Sequence, residues 1–201
     1  METILVLAHT EVDGSLAKSL REAMKAAGTL FKALPSSKLS IGLIGDNVQA
    51  AANSIAACPA TKYFGVSGAD FTQARYASDA AAAEAIYKAA QATIVVAPAT
   101  SRWNRVLAGV AQRLGGRVDT HVTGVVEGGA KPAINRWYYR QRMEATISRT
   151  QRPWFIAIDP GSQVPCDCGA GAATVEMVSV NLADAAKRTT VAGIREPKAD
   201  A

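Results

Sequence analysis

Four apolar runs recur along the first half of the chain: TILVLA (residues 3–8), LSIGLI (39–44), KYFGV (62–66) and TIVVA (93–97). Runs of β-branched and aliphatic residues without polar alternation are strands buried on both faces. Burial on both faces needs helices above and below the sheet. Helical spacing follows each run, at the roughly 30-residue period of right-handed βαβ crossovers. The chain is therefore expected to be α/β, a parallel sheet in three layers.

The first helix is expected over 14–28, with Leu16, Leu20, Ala23, Met24 and Ala27 on one side and Lys18, Arg21, Glu22 and Lys25 on the other. A second starts from Gly45-Asp46-Asn47 and reaches about Ala57, with Asp46 or Asn47 as cap. A third covers 78–90, capped by Ser78 with Asp79 in its first turn, and a fourth covers 103–114. After Gly116 the rhythm changes. Residues 120–126, 131–137, 142–148 and 154–158 read as strands with no helix between them, and 174–180 as a last strand. Extra antiparallel strands are thus expected after residue 118, with Gly128-Gly129 as a hairpin turn. Residues 1–185 form one expected domain and 186–201 a polar arm or linker. No apolar stretch reaches the ~18 residues of a membrane span. The N-terminus lacks the basic segment of a signal peptide, so a cytoplasmic protein is expected.

Charge is unevenly placed. Residues 1–100 carry 8 basic and 8 acidic side chains, whereas 102–152 carry 10 basic, nine of them arginine, against Asp119, Glu127 and Glu144. A local excess of this kind calls for an anionic neighbour: a phosphate, a nucleic acid or an acidic protein face. Two segments offer the contact. In APATSR (97–102) a strand ends at a helix N-terminus, so Thr100, Ser101 and Arg102 are the cofactor-binding candidates. A cation in a first helical turn opposes the dipole, so Arg102 is expected to face an external anion and to contribute little to stability. In RWYYRQR (136–142), if extended, Arg136, Tyr138, Arg140 and Arg142 share one face, the expected partner interface. Trp137, Tyr139, Gln141 and Met143 share the other face, suited to a core or an interface.

Catalytic signatures are missing: the sequence has no Walker loop, GxGxxG, GxSxG or HExxH. Its histidines, His9 and His121, have no acid/base partner evident in sequence, and no catalytic residue is assigned. Cys58, Cys166 and Cys168 make an odd count, and CxC without a nearby histidine is a poor metal site. Reduced thiols in a solvent-near loop are expected there, and no metal.

The order ILVLAH, then IVVAPATSRWNRVLAGVAQRLGGRVDTHVTGV, then MEATISRTQRPWFIAIDPGS resembles the N-terminal domain of the electron transfer flavoprotein α subunit. In that family a strand with APATxxG leads into a helix ending RLG. A GNAIAT strand and a TVRPG segment follow; Met143-Glu144-Ala145-Thr146 and the stretch from Ile156 to Gly161 stand for them here. The resemblance implies an adenine-nucleotide-binding type of fold, shared with universal-stress proteins. It also implies a scaffold that positions FAD held by another domain or chain, contacts a β subunit, and takes electrons from an acyl-CoA or other dehydrogenase. Departures from the pattern fall at Trp103, where the family has glycine, and at Arg140-Gln141-Arg142 before the GNAIAT position. The family's SGGRG flavin loop does not occur, so the chain alone is expected to bind no FAD and to be colourless. Two other readings stay open. A stand-alone universal-stress-like nucleotide-binding protein would need a GxxGxxxxxxxxxG loop, which is missing. An arginine-rich nucleic-acid module would lack any known RNA-binding signature.

Overall fold

The computed structural model describes residues 1–127, 131–184, 188–193 and 195. Each of the four apolar runs is a strand: β1 (Thr3–His9), β2 (Lys38–Gly45), β3 (Lys62–Ser67) and β4 (Ile94–Pro98). The helices are α1 (Lys18–Ala33), α2 (Val48–Asn53), α3 (Tyr76–Ala90) and α4 (Ser101–Arg113). Five later strands follow: β5 (Arg117–Val125), β6 (Ala133–Tyr138), β7 (Met143–Ser148), β8 (Trp154–Ile158) and β9 (Val175–Met177). Together they form one sheet in the order β7-β6-β5-β8-β4-β1-β2-β3-β9.

Alternate residues of each central strand feed two cores. Ile4, Val6 and Ala8 pack with α1 and α2, while Leu5 and Leu7 pack with α3 and α4. This is the expected α/β sandwich of helix, sheet and helix. Helix α1 continues through Gly28 to Ala33 because its next turn buries Leu30. Burying a leucine is worth about 1.5–3 kcal/mol, more than the ~1 kcal/mol a mid-helix glycine costs. Pro35 then forbids further helix. Helix α3 begins at Tyr76, so Ser78 lies inside its first turn rather than capping it, and its hydroxyl accepts from Arg75 Nε at 3.2 Å.

The strands after residue 118 are not uniformly antiparallel. Among the described residues, antiparallel pairing is confined to β5–β6 and β6–β7. β8 runs parallel between β4 and β5, and β9 runs parallel beside β3. WFIAI, apolar at every position and fully buried, needs cover on both faces and so occupies a central slot. The half-polar β6 and β7 take the open edge. The expected Gly128-Gly129 turn and most of the polar arm at 186–201 lie outside the described residues.

One buried carboxylate joins these later strands. Asp119 of β5 is fully buried and accepts four hydrogen bonds. Arg136 of β6 donates through Nη1 at 2.9 Å, and Trp154 of β8 through Nε1 at 2.8 Å. Arg149 donates through Nη2 at 2.7 Å and also through Nε. Burial alone would raise the carboxyl's pKa, but these donors, Arg149 foremost, hold it below its ordinary 3.8. The cysteines also depart from expectation. Cys58, beyond the end of α2, forms a disulfide with Cys168 across 110 positions, and Cys166 is the free thiol. The loop before β9 is therefore cross-linked rather than carrying only reduced thiols, because the fold returns it to the edge where Cys58 lies.

Asp119→Asn keeps the shape but sets an amide donor against arginine donors. It is expected to destabilise the domain by about 3 kcal/mol, a fall in Tm of roughly 6–12 °C for a chain of this size. The Asp119 contribution is present above the unfolded carboxyl's pKa and is lost as pH falls through the depressed folded value. Thermal melts as a function of pH should accordingly show a gentler acid loss in the variant than in the wild type.

Candidate functional site at the switch point of the sheet

β1 is followed by α1 on one face of the sheet, and β4 by α4 on the other. The two loops part at the C-terminal ends of these adjacent strands, which is where open α/β sheets bind ligands. A cavity of about 220 Å³ opens there, lined by His9, Thr10, Leu20, Thr100, Arg102 and Trp103. It is smaller than the roughly 300–1,000 Å³ typical of ligand pockets. Gly45 makes room for Thr10: a Cβ on Gly45 would lie 1.8 Å from Thr10 Oγ1, and Gly45 itself adopts φ +151°.

The chain's own side chains wall this crevice and pair with one another. The His9 ring stacks on Trp103 with centroids 4.2 Å apart. Arg102 grips Asp79 in a two-pronged pair, Nε to Oδ2 at 2.8 Å and Nη2 to Oδ1 at 2.7 Å. The same guanidinium donates to the carbonyls of Phe71, Thr72 and Gln73. Asp79 is 1% exposed. Burial would raise its pKa, but Arg102 and then His9 outweigh burial and keep it ionised. His9 Nε2 lies 3.4 Å from Asp79 Oδ1 without hydrogen-bond geometry, and neither ring nitrogen has a partner among the described residues. Burial lowers the His9 pKa against the opposing pull of Asp79, so the ring is neutral at pH 7.

The residues singled out from sequence fall into distinct roles. Thr100 caps α4, its Oγ1 accepting from Trp103 N at 3.2 Å. Ser101 is the exposed first residue of α4. Arg102 does not stand free for an external anion, nor is it peripheral to stability. The anion that its position in the first turn demanded is internal, Asp79 of α3. No local spacing links residues 79 and 102, so only the fold could reveal the pair.

The 136–142 stripe is broken. Tyr139, Arg140 and Gln141 have φ of 49°, 56° and 65°, a left-handed turn that ends the two-residue alternation after Tyr138. Arg136 belongs to the Asp119 cluster and stacks over the Tyr138 ring at 4.3 Å. Arg140 and Arg142 remain exposed beside Tyr139, which is 73% exposed rather than buried in a core. Between this turn and β5 lies a cavity of about 510 Å³ lined by His121, Arg136, Tyr138, Tyr139 and Arg140. His121 sits at a bulge in β5 with φ 56°, its Nδ1 3.4 Å from Asp159 Oδ2.

Arg102→Ala should leave Asp79 buried and unpaired, costing about 3–5 kcal/mol. Calorimetry should register a fall in Tm of roughly 10 °C. Pairing Arg102→Met with Asp79→Leu should recover part of that loss, the shortfall reflecting the three abandoned carbonyls. Because the folded His9 pKa lies below the unfolded value of 6.5, wild-type stability should fall as pH drops below that value. His9→Gln should remove that part of the slope in urea titrations between pH 7 and 5.

No helix among the described residues is long and apolar enough to cross a membrane. A search of curated proteins finds no match to this chain. Comparison with protein-family profiles matches residues 4–185 to the electron transfer flavoprotein domain. The match spans the whole sheet from β1 to β9, including both sides of the switch point. The chain belongs to the electron transfer flavoprotein domain family.

Proposed function

We propose that the chain is an α-subunit-like scaffold of an electron transfer flavoprotein, which positions FAD held by another domain or chain and docks a β subunit. The observation that carries this reading is the narrow crevice. At the place where an α/β sheet would cradle a dinucleotide only about 220 Å³ is open, walled by the stacked His9–Trp103 pair and by Arg102, whose charge is already answered by Asp79. The chain purified alone is accordingly proposed to carry no flavin. An acyl-CoA or other dehydrogenase is the proposed electron donor, and the cytoplasm the proposed compartment.

Docking is assigned to the β6–β7 hairpin. β7 is an edge strand with unpaired backbone groups. The turn leading into it exposes Tyr139, Arg140, Arg142 and Met143, the aromatic, arginine and methionine types enriched at interfaces. Arg136 and Tyr138 support this surface from below, through Asp119 and their mutual stacking. Thr100 and Ser101 stay near any anionic group that a partner brings to the α4 end, the role proposed for them here.

Reversing both exposed charges, Arg140→Glu with Arg142→Glu, leaves the Asp119 and Asp79 clusters untouched. Each interfacial arginine is worth on the order of 1–2 kcal/mol, so the Kd for a β subunit should rise roughly 30-fold or more. Calorimetric titration at moderate salt, with circular dichroism to confirm the fold, makes the measurement. An unchanged Kd in a folded variant would remove the hairpin from the interface.

A further inference from the structure

All three cysteines of the chain meet at one point, with sulfur atoms within 4.8 Å of one another. Cys58 and Cys168 are joined, and the Cys166 sulfur lies 3.1 Å from that of Cys168. A cross-link needs two sulfurs; here a third is held beside it. Main-chain contacts hold the loop independently of the disulfide. Cys166 N donates to Arg21 O at 3.0 Å, Ala57 N to Gly169 O at 3.0 Å, and Gly171 N to Asn53 O at 2.9 Å. Gly169 and Gly171 lie so close to Ala57 and Ala56 that an added Cβ would sit 3.4 and 3.3 Å from their methyl groups. The backbone that carries the cysteines is therefore held in place when the disulfide opens. They border a cavity of about 570 Å³ that Met24, Lys25 and Thr29 also line. Burial pushes the Cys166 thiol up, with the positive charges of Arg21 and Lys25 acting against it and the negative Asp167 with it.

We propose that Cys58, Cys166 and Cys168, once reduced, form a three-thiolate site for a soft divalent metal ion of the zinc class, which the Cys58–Cys168 disulfide closes. A dithiol reductant opens it: the disulfide gains two electrons and two protons, and the reductant leaves as its own disulfide. The metal ion then displaces the three thiol protons. Zn–S bonds of about 2.3 Å in tetrahedral geometry place sulfurs roughly 3.8 Å apart, a separation that the Cys58 and Cys168 side chains reach by turning apart once their bond is broken. Thiolates select zinc-class ions over hard cations, so the absence of a histidine does not weaken the set. Three thiolates and a dication leave one negative charge, which Arg21 and Lys25 offset. The fourth position faces the cavity and takes a water molecule.

Cobalt(II) is the probe, titrated into the full chain after reduction with a phosphine and a count of three free thiols. The proposal expects thiolate-to-cobalt charge transfer and tetrahedral visible bands that saturate at one ion per chain and are abolished by zinc. The oxidised chain should show neither. Cys166→Ser, which can still form the disulfide, should weaken cobalt binding at least ten-fold when reduced. Absence of these bands in the fully reduced wild type overturns the proposal. Equal titration of Cys166→Ser also overturns it, by reducing the site to two cysteines.

Discussion

A carboxylate cut off from water must have its charge answered where it stands, and Asp119 is the charge around which the second half of this domain is assembled. It ties β5, β6 and β8 and the residue before the final approach to β8 into one cluster. Removing any one donor leaves a buried carboxylate short of a hydrogen bond, so the strands are coupled more tightly than their ladder bonds alone require. Asp79 repeats the arrangement across the sheet, with Arg102 answering it and drawing in the loop from Phe71 to Gln73. At the start of the chain Arg152 pairs with the partly exposed Glu2 at 2.6 Å.

This pairing changes the meaning of the basic block. The excess of arginine between residues 102 and 152 suggests an anionic partner outside the chain. Much of it answers anions inside: Arg102, Arg136, Arg149 and Arg152 all form ion pairs with acidic residues of the domain. Their three acids are distant in sequence, and two of them, Glu2 and Asp119, lie in or next to strands whose periodicity gives no hint of charge. The exposed remainder gathers at the hairpin, with Arg140 and Arg142, and on α4. The docking surface proposed here is correspondingly small and local, not a stripe.

The parts of the fold legible in sequence are those set by local periodicity. Unbroken apolar runs announced β1 to β4 and β8, and the spacing of Leu20, Ala23, Met24 and Ala27 announced α1. What was not legible depends on tertiary context. The apolar spacing of the first helix is followed only to Gly28 until Leu30 is seen to be buried beyond it. β8 reads as one more meander strand until its full burial places it between β4 and β5. The alternation of Arg136 to Arg142 is real in the letters but fails in the backbone, because three successive residues adopt left-handed conformations. At the crevice, Arg102's awkward position in the helix dipole was the visible signal, and its partner was invisible because 23 residues of chain and a crossover separate it from Asp79.

The central claim is that the switch-point crevice is narrowed from within and that the β6–β7 hairpin is the docking surface. Hydrogen–deuterium exchange on the full chain, free and bound to a flavin-loaded β subunit, tests it most directly. The account predicts slowed exchange across residues 139–148 on complex formation, with the amides of His9 and Thr10 unchanged. Protection concentrated at those two crevice residues, with the hairpin exchanging as in the free chain, would contradict it.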